Sequence, residues 1–357
     1  MAPEAMPESR GPGSAFGAFA RVVRADVDAR LERLASDRIA KAERVSPEIA
    51  TVVRALFDVA TRGGKRVRPA LACAAHVACG GDEKDAATLE VGVALEVLHA
   101  YLLVHDDWMD GDDVRRGGPS AHAALRAAYG STQAGDAGAI LAGDFGQAFA
   151  FEALAEIAAP AERVVLVLRE VSRMLAEVVS GQVLDVRAAA TTRAEVETMH
   201  RLKTSSYTAR TPLVLGAILA GADEKTREAL RAAGDPMGIA FQLRDDLLGT
   251  FGDPALTGKS ARSDLRSGKR TALVAELADD RAARQLLPRV LGVEDAPDDE
   301  VDALIARMIA SGAKARVEAR LQTLLGESRA RIEALAITKT GKTLLLGAVD
   351  ALGARES

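Results

Sequence analysis

Five carboxylates fall within eight residues, Asp106, Asp107, Asp110, Asp112 and Asp113, and Arg115 and Arg116 follow at once. The stretch before them, residues 87–104, is an apolar run whose charged or readily titrated side chains are Glu90, Glu96 and His99. A helix over that run is buried and delivers negative charge to its own C-terminal end, where the backbone dipole is also negative. Such an end is unfavourable unless cations neutralise it. Asp106 and Asp110 are four residues apart and Asp107 and Asp110 three, so the spacing leans all three toward one face of the last turn. Oxygen ligands with room for water suit Mg²⁺, which takes one or two carboxylates and leaves other positions to phosphate oxygens. The adjacent arginines offer fork-shaped donors that match phosphate. Taken alone, the stretch is equally compatible with a solvated acidic loop. A calcium loop of the EF-hand kind is excluded, because Trp108 and Gly117 would stand where oxygen ligands are needed. The working expectation is a site for Mg²⁺ and a diphosphate.

The remainder of the chain says what scaffold carries this site. Of 357 residues, 48% are hydrophobic, 27% charged and 3% aromatic. That is ample for a large core, and with strand-type alternation scarce the expected class is all-α, a large helical bundle. A formal charge of −5 gives no support to a nucleic-acid partner. The two cysteines, Cys73 and Cys79, are too few for a disulfide framework and fit a reducing cytoplasm. No apolar run reads as reaching the roughly 18 residues that span a bilayer, so no integral membrane segment is expected. The N-terminus lacks a basic segment followed by an apolar one, so no signal peptide is expected.

Residues 1–14, rich in Pro, Gly and Ala, are expected to be a disordered tail, and 15–357 a single domain. Helices are expected over about 16–44, from Ser46-Pro47-Glu48 to 61, from about 69 to 79, and centrally over about 84–109. Further ones are expected over 120–129, 133–158, 161–189, 193–220 and 224–250, the last with a break near Pro236. Residues 252–268 read as a loop, and 271–352 as four or five shorter helices.

Four other places carry chemistry. Residues 62–69 set four cations, Arg62, Lys65, Arg66 and Arg68, around Gly63-Gly64, where glycine permits close backbone approach and Lys65 and Arg68 could grip phosphate. A Walker A loop fails there, with Val59 at its first glycine and Arg66 where Ser or Thr belongs. Asp245-Asp246 ends a second apolar helical stretch that includes Gln242, with Asp253 further along. Two such acidic helices facing one another in a bundle could share Mg²⁺ ions. Thr257-Gly258-Lys259-Ser260 fails as a nucleotide loop, yet leaves Lys259, with Lys269, as a diphosphate contact; Lys203-Thr204 adds a further cation. His99 lies seven residues before Asp106, close to the same helical face.

Together these pieces resemble the trans-isoprenyl diphosphate synthases (polyprenyl synthetases), in particular their short-chain geranylgeranyl and farnesyl members. The pieces stand in the family's order: GGKRVRP at 63–69, EVLH at 96–99, HDDWMDGDDVRRGGPS at 105–120, GQVLD at 181–185, KT at 203–204, FQLRDDLLGTFGD at 241–253, then Lys259 and Lys269. The resemblance implies a single isoprenoid synthase domain around a central cavity, in a cytoplasmic homodimer. It implies Mg²⁺, three ions per site, with Asp106, Asp107, Asp110, Asp245 and Asp246 as the candidate ligands. It gives Arg115, Lys203, Lys259 and Lys269 to the allylic diphosphate, and Gly64, Lys65, Arg68, His99 and Arg116 to isopentenyl diphosphate. Thr204 and Gln242 match polar residues near the reacting carbons. One departure stands out: the second motif usually ends in aspartate, and here Gly249 holds that place.

The reaction implied is head-to-tail condensation. The allylic diphosphate ionises to a carbocation, the double bond of isopentenyl diphosphate attacks it, and a proton leaves. The chain should grow down the helix that precedes Asp106, where Tyr101 and Leu102 lie about one turn deeper. One aromatic and one aliphatic residue there resemble geranylgeranyl (C20) synthases more than farnesyl (C15) ones. A terpene cyclase is disfavoured because it has no use for a second diphosphate pocket, and a non-catalytic partner subunit because the acidic residues are all present.

Overall fold

The structure, a computed structural model, describes residues 12–252 and 262–353. Apart from Val114–Arg115, which pairs antiparallel with Gly118–Pro119, the described residues hold no strand. The chain is all-α, as expected. The long elements are α1 (Pro12–Glu43), α2 (Pro47–Thr61), α3 (Val67–Ala78), α4 (Ala86–Asp110), α5 (Ala121–Tyr129), α6 (Thr132–Ala155) and α7 (Ala161–Val186). Then α8 (Arg193–His200), a π-helical segment (Arg201–Arg210) and α9 (Thr211–Ala220) follow without a break, and α10 (Glu224–Phe251) completes the central set. Two single-turn pieces, α11 (Ser263–Arg266) and α12 (Ala272–Ala275), lead to α13 (Ala283–Val290), α14 (Asp298–Ala310), α15 (Ala313–Glu333) and α16 (Lys339–Gly353).

Local chemistry sets the boundaries. The Ser46 hydroxyl caps α2 by accepting from the Ile49 amide, with Pro47 in the first turn, where its missing N–H costs nothing. Asp85 caps α4 through the Thr88 amide at 2.8 Å, and Thr192 with Glu195 forms a capping box on α8. Several sequence boundaries need correction. Residues 12–14 belong to α1, while 1–11 lie outside the described residues. α3 begins two residues before Pro69, which sits in its first turn and therefore breaks nothing. Residues 252–268 are no uniform loop, since α11 forms within them.

Pro236 does not interrupt α10. A mid-helix proline removes the amide that would bond the carbonyl four residues back, here that of Ala232. Arg331 on α15 donates to that carbonyl, and Ser328 donates to the next, Ala233, at 2.9 Å. Ser205 supplies a further donor to the Asp235 carbonyl at 2.8 Å. Tertiary neighbours thus satisfy the freed groups.

Two apolar clusters fill the interior. One gathers α1, α2, α4, α6 and α7; the other gathers α10, α15 and α16. α3 and α9 contribute to both, through Ala72 and Val214 on one side and Leu71 and Leu213 on the other. By length and composition α4 passes the test for a membrane span, contrary to the sequence expectation. However, 83% of its apolar window is buried inside the protein, so that apolarity is used in the core. Cys73 and Cys79 are free thiols, and burial pushes them up to about 12 and about 11, far from thiolate.

Candidate active site

The end of α4 carries the acidic cluster, and its carboxylates do not all share a face. Asp106 Oδ1 accepts from Lys203 Nζ at 3.1 Å and from Gln182 Nε2 at 3.0 Å. The same ammonium reaches Asp185 Oδ2 at 2.5 Å. One turn on, Asp110 Oδ2 lies 3.4 Å from Lys269 Nζ, which also faces Asp264 at 3.7 Å. Each aspartate of the i, i+4 pair is therefore met by a lysine that it shares with a second carboxylate. Burial works to raise the Asp106 carboxyl, but Lys203, Lys269 and Gln182 hold it below its ordinary value. Asp110 is raised, first by burial and then by the charge of Asp106. Both lysines are shifted upward despite burial, because carboxylates surround them.

Asp107 points elsewhere. It is fully buried and accepts from Arg115 Nε at 2.8 Å and from Arg115 Nη2, so the expectation that it leans with Asp110 is corrected. At 100° per residue, Asp107 is turned toward the hairpin that carries Arg115. Arg115 is accordingly committed to Asp107, with Asp112 a further 3.5 Å neighbour, rather than extended toward the lysines.

Lys203 sits in the π-helical segment, which the sequence reading took as ordinary α-helix. One extra residue per turn re-aims side chains, and such segments recur at functional sites. Here it turns Lys203 toward Asp106, and Thr204 Oγ1 donates to Gln242 Oε1 at 2.7 Å. Gln242 Nε2 in turn donates to Asp246 Oδ1 at 2.9 Å, and the other oxygen of Asp246 accepts from the Ala272 amide at 3.1 Å. Buried Asp246 thus ties α10 to α12. Asp245 occupies the neighbouring, half-buried face of α10.

A second polar pocket lies at the α2–α3 break. Gly64 has φ +136°, a backbone conformation that side-chain-bearing residues rarely adopt, so glycine is required there, and the Arg66 and Arg116 guanidinium groups lie in ordinary contact with it. Arg66, itself left-handed at φ 48°, is buried and donates to Glu96 Oε2 at 2.6 Å and to Asp28 Oδ1 at 2.7 Å. Arg116 donates to the Gly63 carbonyl at 2.8 Å and lies 3.2 Å from His99 Nε2. Arg68 stacks 4.3 Å over the Tyr207 ring and donates to Thr208. Burial, then Arg68 and Arg116, hold His99 well below its ordinary value, so it is neutral. Because arginine can only donate, His99 Nε2 accepts and Nδ1 carries the proton. Both His99 Nδ1 and Arg68 Nε are buried and find no hydrogen-bond partner among the described residues. Such donors suit an incoming anion.

Beside the acidic pocket opens an apolar cavity of about 450 Å³. Asp106 and Lys203 stand at its acidic end; Tyr101, Leu102, Val178 and Val183 line its walls, and Tyr207 is shared with the arginine pocket.

The sequence matches the family described as polyprenyl synthetase over residues 50–308. The chain belongs to the polyprenyl synthetase family. A geranylfarnesyl diphosphate synthase of Aeropyrum pernix is 34% identical over 273 residues, covering 75% of this chain and 82% of that one. A (2E,6E)-farnesyl diphosphate synthase of Mycobacterium tuberculosis is 38% identical over 70% of this chain and 67% of its own. Among solved structures, a geranylgeranyl pyrophosphate synthase from Corynebacterium glutamicum, complexed with isoprenyl diphosphate and magnesium, superposes with a TM-score of 0.86 at 30% identity. That match covers 95% of this chain and 99% of the other. This polyprenyl synthetase is therefore a prenyltransferase of the short-chain isoprenyl diphosphate synthase type.

Of the residues singled out from the sequence, the structure brings Asp106, Asp110, Lys203 and Lys269 together, and separately Gly64, Arg68, His99 and Arg116. Lys65 lies on the same α2–α3 loop and is exposed. Lys259 and Asp253 lie outside the described residues. Gln182, Asp185, Tyr207 and Asp264 were not singled out. The first two fall inside a quoted motif, so their spacing was a usable signal, whereas Tyr207 and Asp264 carry none.

Among the described residues no three His, Cys, Asp or Glu side chains are close enough to hold a metal by themselves. The donor set still fits Mg²⁺, an oxygen-seeking ion that binds through one or two carboxylates while substrate phosphate supplies the remainder. The two half-buried lysines beside Asp106 and Asp110 mark where the site already requires positive charge.

Proposed function

We propose that this polyprenyl synthetase condenses isopentenyl diphosphate with an allylic diphosphate, in the presence of Mg²⁺, to give geranylgeranyl diphosphate. The observation that carries this reading is the pairing of two unlike polar pockets at one end of an apolar cavity. One is acidic and lysine-bearing; the other is arginine-rich with orphaned donors. A single-substrate cyclase has no use for the second. Asp106, Asp110 and Asp245 would hold the Mg²⁺ ions, three by resemblance, and Asp107 and Asp246 would support their surroundings. When bound, Mg²⁺ would neutralise the diphosphate and stabilise it as a leaving group.

The protein's own residues do the positioning. Lys203 and Lys269, freed from Asp106 and Asp110 as cations take their place, can turn to phosphate oxygens. Arg68, Arg116 and His99 Nδ1–H would offer donors to a second diphosphate, and His99, being neutral, adds no further positive charge to the pocket. Thr204 and Gln242 form a fixed polar pair beside Lys203. The cavity walls exclude water, which would otherwise trap an allylic cation.

Tyr101 supports the C20 reading. It lies on α4 five residues before Asp106, lines the cavity, and packs edge-on against His105 with ring centroids 4.9 Å apart. Tyr101→Ala is expected to shift the product to longer chains, read by chromatography of the hydrolysed alcohols; an unchanged distribution would return Tyr101 to core packing. A homodimer is also proposed: Ile140 and Leu141 on α6 are exposed apolar side chains outside the cavity, as an interface requires. The direct test is to incubate the protein with Mg²⁺, isopentenyl diphosphate and the C5, C10 or C15 allylic diphosphate. A dominant C20 product supports the whole reading, C15 keeps the reaction and corrects the length, and no condensation with any primer overturns it.

A further inference from the structure

The turn that carries Arg116 is held in a conformation that arginine rarely adopts. Arg116 and Gly117 join Val114–Arg115 to Gly118–Pro119 as a two-residue hairpin loop, and both have positive φ, 51° and 74°. That geometry matches the twist of paired strands and suits glycine. A residue with a β-carbon is strained there and stays only where its surroundings hold it. Two guanidinium groups supply the hold. Arg62 Nη1 donates to the Arg115 carbonyl at 3.0 Å and to the Pro119 carbonyl at 2.8 Å, one on each strand. Arg116 Nη1 returns the contact, donating to the Gly63 carbonyl at 2.8 Å. The α2–α3 loop and the hairpin, 53 residues apart, thus each grip the other's backbone.

Gly118 makes room for this clasp. A β-carbon on it would lie 2.7 Å from Arg62 Cζ and 2.8 Å from Arg62 Nη1. Its φ is not positive, so the missing side chain serves the guanidinium rather than the backbone. The rest of the hairpin is fixed by other means. At its base the Ser120 amide donates to the Asp113 carbonyl at 2.9 Å, and buried His122 lies 3.0 Å from Asp113 Oδ1. Arg115 is anchored through its own side chain on Asp107. Arg116 is the exposed member, with the Gly63 carbonyl and His99 Nε2, at 3.2 Å, as its side-chain contacts.

We propose that Arg62 is a positioning residue for substrate binding: by clasping the hairpin to the α2–α3 loop it sets Arg116 on the diphosphate pocket formed with Arg68 and His99. Its effect on Arg115 is smaller, because Asp107 already holds that guanidinium. The clasp needs Arg62 and Gly118 together. This inference rests on the reading of that pocket as the isopentenyl diphosphate site.

The test is steady-state kinetics of the full chain with Mg²⁺, isopentenyl diphosphate and an allylic diphosphate, with thermal melting alongside. Arg62→Met keeps the stem and removes the donors. It is expected to raise the KM for isopentenyl diphosphate roughly ten-fold, the scale of a lost hydrogen bond to a charged group. The KM for the allylic diphosphate should rise less, and kcat and the melting temperature should stay near parental. Arg62→Lys, whose one ammonium can still serve carbonyls, should fall between the parent and the methionine variant. Gly118→Ala should reproduce the KM shift: its methyl group pushes the flexible guanidinium aside while the positive charge remains, so lost charge is not the cause. The double variant Arg62→Met with Gly118→Ala should be no worse than either single, since both open one clasp. A parental KM for isopentenyl diphosphate in Arg62→Met, a fall in kcat or melting temperature without a KM change, or additive effects in the double variant would overturn the proposal. If the parent itself fails to condense the two substrates, the reading of the pocket falls and the clasp's role with it. An active parent beside an unaffected Arg62→Met refutes the clasp alone.

Discussion

Asp106→Ala is expected to lower turnover by about three orders of magnitude while leaving the fold intact. The Asp106 carboxylate lines the cavity, accepts from both Lys203 and Gln182, and shares its helical face with Asp110. Removing one preorganised electrostatic partner of a charge-developing step typically costs about 10²–10³-fold in rate, and a lost metal ligand adds to that. Stability should change little, because Lys203 retains Asp185 at 2.5 Å and is not stranded as an unpaired buried charge. The measurements are steady-state kcat with saturating substrates and circular dichroism of the variant. A variant that turns over at the parental rate would remove Asp106 from the chemistry; a variant that has lost its helical signal would mean the residue was structural after all.

The largest stability effect is expected at Glu96. Its carboxylate and the Arg66 guanidinium are both 2% exposed and 2.6 Å apart, inside the first apolar cluster. Arg66 keeps only a partly exposed Asp28 and the Ala60 carbonyl as other partners. Glu96→Ala therefore leaves a buried cation half-matched and opens a cavity, and breaking such a pair costs roughly 3–5 kcal/mol. Denaturant unfolding reads this directly, and a loss below about 1 kcal/mol, the scale of an exposed ion pair, would contradict it. The effect should extend to binding. Arg66 occupies a left-handed conformation one residue before α3 and lies against Gly64, whose neighbour on the other side is Arg116. Loosening Arg66 should raise the KM for isopentenyl diphosphate more than it lowers kcat, since on the proposed reading this pocket holds that substrate and not the departing group. Glu96→Gln, which keeps shape and a hydrogen bond, should fall between the parent and the alanine variant.

Much of this was legible in the chain. The two acidic helix ends, the basic glycine loop and the isolated lysines are each weak signals, and it was their order that identified the family. The helix starts at Ser46, Asp85, Thr192 and Asp223 follow from capping chemistry that acts over three residues. What failed was local reasoning about distant partners. Pro236 reads as a break because its compensating donors, Ser328 and Arg331, lie almost a hundred residues later. For Asp107 and Asp246 the sequence shows only their adjacency to Asp106 and Asp245. That a helix turns each through 100° onto another element is visible only once those elements are packed.

The sequence by itself determined the all-α class, the family, and which residue types stand ready for a diphosphate and a divalent cation, because periodicity, capping and motif order are properties of the chain. Only the tertiary structure decided which carboxylates share a cation and which are bound by Arg115 or by the Ala272 amide. It alone placed Lys203 through a π-helical segment, and joined Arg62 to the hairpin that carries Arg115 and Arg116. The reason is physical: side-chain roles at such a site depend on distances of a few ångströms between elements far apart in sequence, and packing alone sets those distances.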